Sequence, residues 1–371
     1  MIYADNAATT QLDPEALAAM MPYLKSEYGN ASQPYAFAHS AKKALKEARA
    51  DIASCINADA EDIYFTSGGT ESDNWALKGT MYAHGDHRGL ITSQVEHNAI
   101  LHSATAIERM GYPVTYLPVD PECTVSLTAL KDVITDNTRL VSVMLSNNEV
   151  GTIQPIRELA SIAHERKALF HTDAVQAVGH IKVDIKELDV DLLSASAHKF
   201  NGPKGIGFLY IKKGTSLLPF NDGGAQEFGM RAGTENIASI VGMATALKSN
   251  CTLLESHQKH LNSLEEELLK GLQQSGLDFV RNGSNHRVPG NVSLSFKGAD
   301  GEMLLHRLDL MGICVSTGSA CDSKNTQVSH VLKAMDIPEE YARGTIRISL
   351  GKNNTLEEVQ TIIKSIQKVL R

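Results

Sequence analysis

Val190-Asp191-Leu192-Leu193-Ser194-Ala195-Ser196-Ala197-His198-Lys199-Phe200-Asn201-Gly202-Pro203-Lys204-Gly205 is the stretch whose reading decides the fold. Its mostly apolar lead, Val190 to Leu193, and the apolar run that leaves it, Ile206 to Ile211, read as two buried strands. Small residues between them let a bulky ligand lie close to the backbone, and Gly202-Pro203-Lys204-Gly205 reads as a turn. A lysine held between buried strands is a candidate for a lowered pKa and a nucleophilic amine, the requirement for a Schiff-base lysine. For Lys199 taken alone a surface loop is the better reading, so its role has to be decided by the rest of the chain.

Outward from this stretch the pattern alternates. Short apolar strand candidates lie near Ile63–Thr66, Leu90–Ser93, Val114–Leu117, Leu140–Met144 and Ala168–His171. Helical patterns at Ser72–Tyr82, Ala99–Met110, Leu127–Ile134 and Pro155–Arg166 separate most of them. Such repetition is the mark of an α/β fold with a mostly parallel, doubly wound sheet. Two helical patterns precede it: one opens at Asp13-Pro14, an N-cap followed by proline, and the other runs from Ala36 to Ile56. After long helical zones at 236–247 and 256–274 the texture changes to short alternating elements, closed by a helix opening at Thr355 with a capping box. A large domain to about residue 256 and a smaller one after it follow.

Composition narrows the class. The 371 residues are 42% hydrophobic and 21% charged with a formal net charge of -8, ordinary for a globular chain and a poor start for nucleic-acid binding. Five cysteines, mostly scattered and without a CxxC pair, suggest neither a disulfide framework nor a zinc site. A reducing, cytoplasmic setting fits them. The opening Met-Ile-Tyr-Ala-Asp-Asn does not read as a signal peptide, and no apolar run approaches a membrane span.

Chemistry gathers at the strand ends. Phe65-Thr66-Ser67-Gly68-Gly69-Thr70-Glu71 carries a strand through a glycine pair into a helix, with Thr70 as its expected N-cap. Free N–H groups there suit a phosphate. Glu96-His97-Asn98 and Asn147-Asn148-Glu149 follow two further strands, where ligands bind in open sheets. Asp173 comes directly after another, a poor place for burial unless a cation faces it. A protonated pyridine nitrogen would serve, and Gln176 could reach the oxygen of the same ring. Asp173 and Lys199 together point to pyridoxal 5′-phosphate. Among the small residues 315–323, Cys321 reads as exposed and reactive, whereas Cys314 reads as core.

In these residues the chain resembles the cysteine desulfurases, in the aminotransferase class V group of fold-type I pyridoxal phosphate enzymes. The motifs that carry the likeness run nearly end to end: Asp5-Asn6-Ala7-Ala8-Thr9-Thr10, Thr66 to Asn74, Asn147 to Gly151, Asp173 to Gln176, Ser196 to Lys199, Arg231 to Asn236, Gly318 to Cys321 and Arg347 to Gly351. The resemblance implies a large domain over 15–256 with a mostly parallel, seven-stranded-type sheet flanked by helices. It implies a smaller α+β domain from 1–14 and 257–371 that bears the catalytic cysteine loop.

It also implies roles. Lys199 holds the cofactor and shuttles protons, Asp173 pairs with the ring nitrogen, Gln176 bonds the ring oxygen, and His97 stacks on the ring. Gly69, Thr70, Ser196 and His198 form the phosphate end, joined by Thr234 from a second subunit of a homodimer with shared active sites. Asn148, beside the cofactor, and Arg347 hold the carboxylate of L-cysteine. Cys321 takes the sulfur as a persulfide and passes it to an acceptor such as an iron–sulfur scaffold, or toward tRNA thiolation, without direct nucleic-acid or membrane binding. Ala31, Gln33, Tyr35 and Val328 depart from the family pattern. Selenocysteine lyase is the nearest rival reading, and a catalytically weak sulfur-transfer scaffold the rival of another class.

Overall fold

The computed structural model describes residues 1–317 and 328–371. Twelve strands run through these residues: β1 (Ile2–Tyr3), β2 (Ile63–Thr66), β3 (Gly89–Ser93), β4 (Val114–Leu117), β5 (Thr138–Ser142), β6 (Leu169–Asp173), β7 (Leu192–Ser196), β8 (Gly207–Ile211), β9 (Phe279–Arg281), β10 (Asn291–Phe296), β11 (Ile313–Cys314) and β12 (Thr345–Ser349). Seven of them form one sheet in the order β2-β8-β7-β6-β5-β3-β4. The pairings β3–β4, β3–β5, β5–β6 and β6–β7 are parallel, and only β8 runs against its neighbours. Strands sandwiched between helices must be apolar on both faces, and β7 and β8 are buried throughout. The decisive stretch is therefore a parallel strand that turns at Lys199 and returns antiparallel.

Helices cover both faces. A large apolar cluster joins Ile52 and Ile56, Val141 and Val143, Phe170, Phe200, Phe208 and Met243 on one side, and a second cluster around Trp75, Ile100 and Leu209 fills the other. Residues 237–252 lie against both Pro14–Lys25 and His39–Cys55. A separate cluster holds Leu261, Leu264, Leu268 and Leu272 of helix Leu254–Gln274 against β10, β12 and helix Leu356–Leu370. There β12-β10-β9 make a three-stranded sheet, while β1 pairs in parallel with β11, which brings the N-terminus to this cluster. No single helix among the described residues is long and apolar enough to cross a membrane.

Local signals account for most boundaries. Asp13 accepts the Glu15 N–H at 2.9 Å ahead of Pro14, and Thr355 and Glu358 form the expected capping box. One expectation is corrected. Thr70 is not an N-cap, because the helical run starts at Gly69, with Gly68 in the cap position at φ 149°. The turn needs that glycine backbone: a Cβ on Gly69 would meet Val175 Cγ2 at 2.7 Å, and one on Gly207 would meet the Ala195 carbonyl oxygen at 2.4 Å. Strand and helix-start thus approach closer than any side chain allows.

Candidate functional site

Five strands of the sheet end on the same edge, and their first residues beyond it converge on one cavity of about 330 Å³. β2 contributes Gly69 and Thr70, β3 His97, β5 Asn148, β6 Asp173 and Gln176, and β7 Ser196, His198 and Lys199. Arg347 enters from β12 on the small sheet, with Ser316 beside it. The carboxyl edge of an open parallel sheet is where this is expected, since helix starts and loose loop ends meet there. Thr234 is exposed and does not line the cavity of its own chain. Cys321 lies outside the described residues.

Lys199 sits on the single helical turn Ala197–Lys199 after β7. Its Nζ donates to the carbonyl oxygens of Ala7 at 2.6 Å and Ala8 at 2.8 Å. The N-terminal segment is therefore a strap: Thr10 Oγ1 and N–H also donate to the His198 carbonyl, and Gln176 Nε2 donates to Ala7 O at 3.0 Å. The sequence singled out Asp5 to Thr10 as a motif but offered no physical task for it. Backbone acceptors leave no signature in side-chain pattern.

Asp173 ends β6, 5% exposed, with one oxygen taking the Val175 N–H at 2.9 Å. Burial raises its carboxyl above the usual range, against the pull of His97 and Lys199. Asp73 lines the same cavity and has no counterpart among the residues expected from sequence. It is 1% exposed, its Oδ1 has no hydrogen-bond partner, and burial followed by the charge of Asp173 raises its proton affinity well above normal. His171 Nε2 approaches that oxygen at 3.8 Å, yet burial holds the imidazole down to about 3, so the contact is not an ion pair. His171 instead links Ser142 at 2.8 Å to Ser194 at 3.0 Å. An acid in a helix interior, flanked by small residues, could have been flagged by the cost of burying it.

The two imidazoles that line the cavity are neutral at ordinary pH. Desolvation, the largest influence, lowers His97, whose Nδ1 accepts the Ala99 N–H at 3.1 Å and caps its helix. His198 is lowered to about 4 by burial first and then by Lys199, and its Nδ1 meets Thr9 Oγ1 at 3.2 Å. Arg347, 5% exposed, donates to Asn148 O at 2.8 Å and to Asp5 Oδ1 at 2.7 Å, while its Nε is without a partner. Its ion pair with Asp5, 342 residues away, has no signal in the sequence. Two buried acids stand nearby. Glu96, raised by burial to about 8, accepts from Ser93 Oγ at 2.6 Å, and Glu149, raised to about 7, accepts from Ser329 Oγ at 2.6 Å.

An amine, a buried acid, neutral imidazoles and an open helix start around one cavity at the carboxyl edge of this sheet define an α/β enzyme. The chain belongs to the aminotransferase class V family, whose model matches residues 2–362. It is 45% identical over 376 residues to the cysteine desulfurase IscS of Clostridium botulinum strain Hall, covering all of this chain and 94% of that one. Among solved structures it superposes on a NifS-like protein with TM-score 0.94 and 37% identity, covering 100% and 99% of the two chains. It also matches SspA, solved in complex with cysteine, with TM-score 0.84 and 32% identity over 96% of this chain and 100% of that chain. The fold class expected from the sequence stands.

Proposed function

We propose that this chain is an L-cysteine desulfurase working with pyridoxal 5′-phosphate: cysteine becomes alanine, and its sulfur is left as a persulfide on Cys321. The observation that carries the reading is the convergence of Lys199, Asp173 and His97 in one cavity. Likeness over the whole chain to a cysteine desulfurase supports it.

The residues present fit that cofactor. A buried carboxyl with raised proton affinity and a single backbone hydrogen bond suits a cationic ring N–H. At the other end, Gly69, Thr70, Ser196 and His198 offer N–H, hydroxyl and imidazole donors to a phosphate at a helix start. A Cβ at Gly69 would crowd that end, so the cradle depends on glycine. When bound, the cofactor supplies an electron sink that weakens bonds at the substrate carbons.

The chain's own groups do the rest. Lys199 Nζ, held by hydrogen bonds to the Ala7 and Ala8 carbonyls, would anchor the cofactor and is placed to carry protons. Asp173 would keep the ring nitrogen protonated, and Gln176, with one amide hydrogen on Ala7 O, has another for a ring oxygen. Neutral His97 lines the cavity, where it would face a bound ring and could accept a proton. Arg347 and Asn148 orient the substrate carboxylate by charge-assisted hydrogen bonds. Thr234 of the partner subunit completes the phosphate end in a homodimer. Cys321 lies five residues after Ser316, which lines the cavity, and eight before Ser329, which Glu149 holds.

The units 15–256 and 1–14 with 257–371 are read as two domains, and the setting as cytoplasmic. Iron–sulfur scaffold proteins or tRNA-thiolation enzymes are the acceptors. Equal yields of alanine and Cys321-bound sulfur from cysteine would test the reaction. The Cys321→Ala protein should keep its cofactor absorbance and form no persulfide; persulfide formed at the parental rate sinks the assignment.

A further inference from the structure

The fold brings together two cysteines that lie far apart in sequence. Cys55 is the last residue of helix His39–Cys55, and Cys251 is the penultimate residue of Ile237–Thr252, which packs along it. The two thiols are in hydrogen-bonding contact, and both side chains are half-buried against the main apolar cluster. A turn earlier on each helix, Lys248 Nζ pairs with Asp51 Oδ1 at 3.0 Å. The pairs 51–248 and 55–251 therefore fix one register, with the helices running in the same sense. Scattered in sequence, these cysteines are neighbours in space.

We infer that Cys55 and Cys251 form a redox-active dithiol that low-molecular-weight disulfides convert to an intramolecular disulfide, a modification site separate from Cys321. Partial exposure gives a small disulfide access, and the packing of the two helices keeps the partner sulfur close. The hydrogen bond from Cys55 is the main influence lowering Cys251, against desolvation, and the same bond raises Cys55. Both thiols are half-buried neighbours, so either can attack first and leave the other to resolve the mixed disulfide.

The exchange balances. With Cys251 reacting first, its Sγ gives up its proton and attacks one sulfur of glutathione disulfide; that S–S bond breaks, a mixed disulfide forms on Cys251, and a glutathione thiolate leaves and takes up a proton. Cys55 then gives up its proton, and its sulfur attacks Cys251 Sγ, forming the Cys55–Cys251 bond and releasing the second glutathione. Two protein thiols are oxidised and one glutathione disulfide is reduced to two thiols. The new bond would tie the end of the helix whose Asn250 donates to Phe200 O at 2.7 Å, next to Lys199.

The test uses the cofactor-loaded Cys321→Ala protein, so that Cys321 takes no part, exposed to glutathione disulfide and followed by intact mass and non-reducing peptide mapping. The expected result is a protein lighter by two hydrogens, with a linked peptide pair containing Cys55 and Cys251. Adding Cys55→Ser should trap glutathione on Cys251, and adding Cys251→Ser should trap it on Cys55. An unchanged mass with all thiols still titratable, or a linked pair involving Cys123 or Cys314, overturns the proposal.

Discussion

Two cavities lie on either side of the turn that bears Lys199, and they differ in what their polar groups are doing. The one at the strand ends holds Asp173 and Asp73, both with proton affinity raised by burial, and the lowered imidazoles of His97 and His198. The other, of about 230 Å³, lies between the Lys199 turn and the chain around Lys352 and is just as polar. There the groups satisfy one another. His180 Nε2 donates to Lys199 O at 2.8 Å, Lys352 pairs with Asp13 at 2.7 Å, and Asn354 accepts from Gly351 N–H while donating to Glu358. Polar groups paired within the chain make a structural joint; buried polar atoms without a partner, here Asp73 Oδ1 and Arg347 Nε, mark the place where a ligand supplies one.

Substitutions can break that comparison, and Lys199→Ala should have the largest effect. Alanine formation is expected to fall by at least ~10³-fold, with loss of the absorbance of the lysine-bound cofactor; an unaltered spectrum refutes the assignment. Asp173→Asn leaves shape nearly unchanged but removes the countercharge, so cofactor affinity should drop by about 3 kcal/mol. Fluorescence titration of the cofactor-free protein reads this directly, and unchanged affinity would remove Asp173 from the site.

In the joint cavity, Lys352→Met should lower unfolding stability by about 1 kcal/mol with kcat unchanged. Asp13 is held below its ordinary range partly by Lys352, although burial, the largest single influence, opposes this. A substantial loss of kcat would make the second cavity part of the active site.

The smallest effect is a pH dependence. Glu96, buried and raised to about 8, binds its proton more tightly in the folded chain than in the unfolded one. Its contribution to stability is therefore full below the unfolded carboxyl range and is lost as pH rises through about 8. Glu96→Gln imitates the protonated form, so its urea midpoint should fall less between pH 5 and 8 than that of the parent. Parallel curves would mean that Glu96 is ionised in the folded state.

Much of this was legible before any coordinates. Strands β2 and β4, at the two edges of the sheet, fall where short runs rich in β-branched and aromatic residues put them. Shifts of one to three residues arise at β5, β6 and β7: β6 and β7 run on through polar Asp173 and Ser196 into the cavity wall, and β5 already starts at polar Thr138. Short β1 and β9 escaped notice, since two or three residues hold no periodicity.

By itself, the sequence determined which chemistry stands at each strand end: an amine at 199, an acid at 173, imidazoles at 97 and 198, each next to an apolar run that places it. Local pattern encodes burial, and burial places strand ends on one edge. Only the tertiary structure decided what meets across the chain. Lys199 reaches Ala7 over 192 residues, Arg347 reaches Asp5 over 342, and Cys55 touches Cys251. Those contacts depend on the path of the backbone through two sheets, which no local periodicity records.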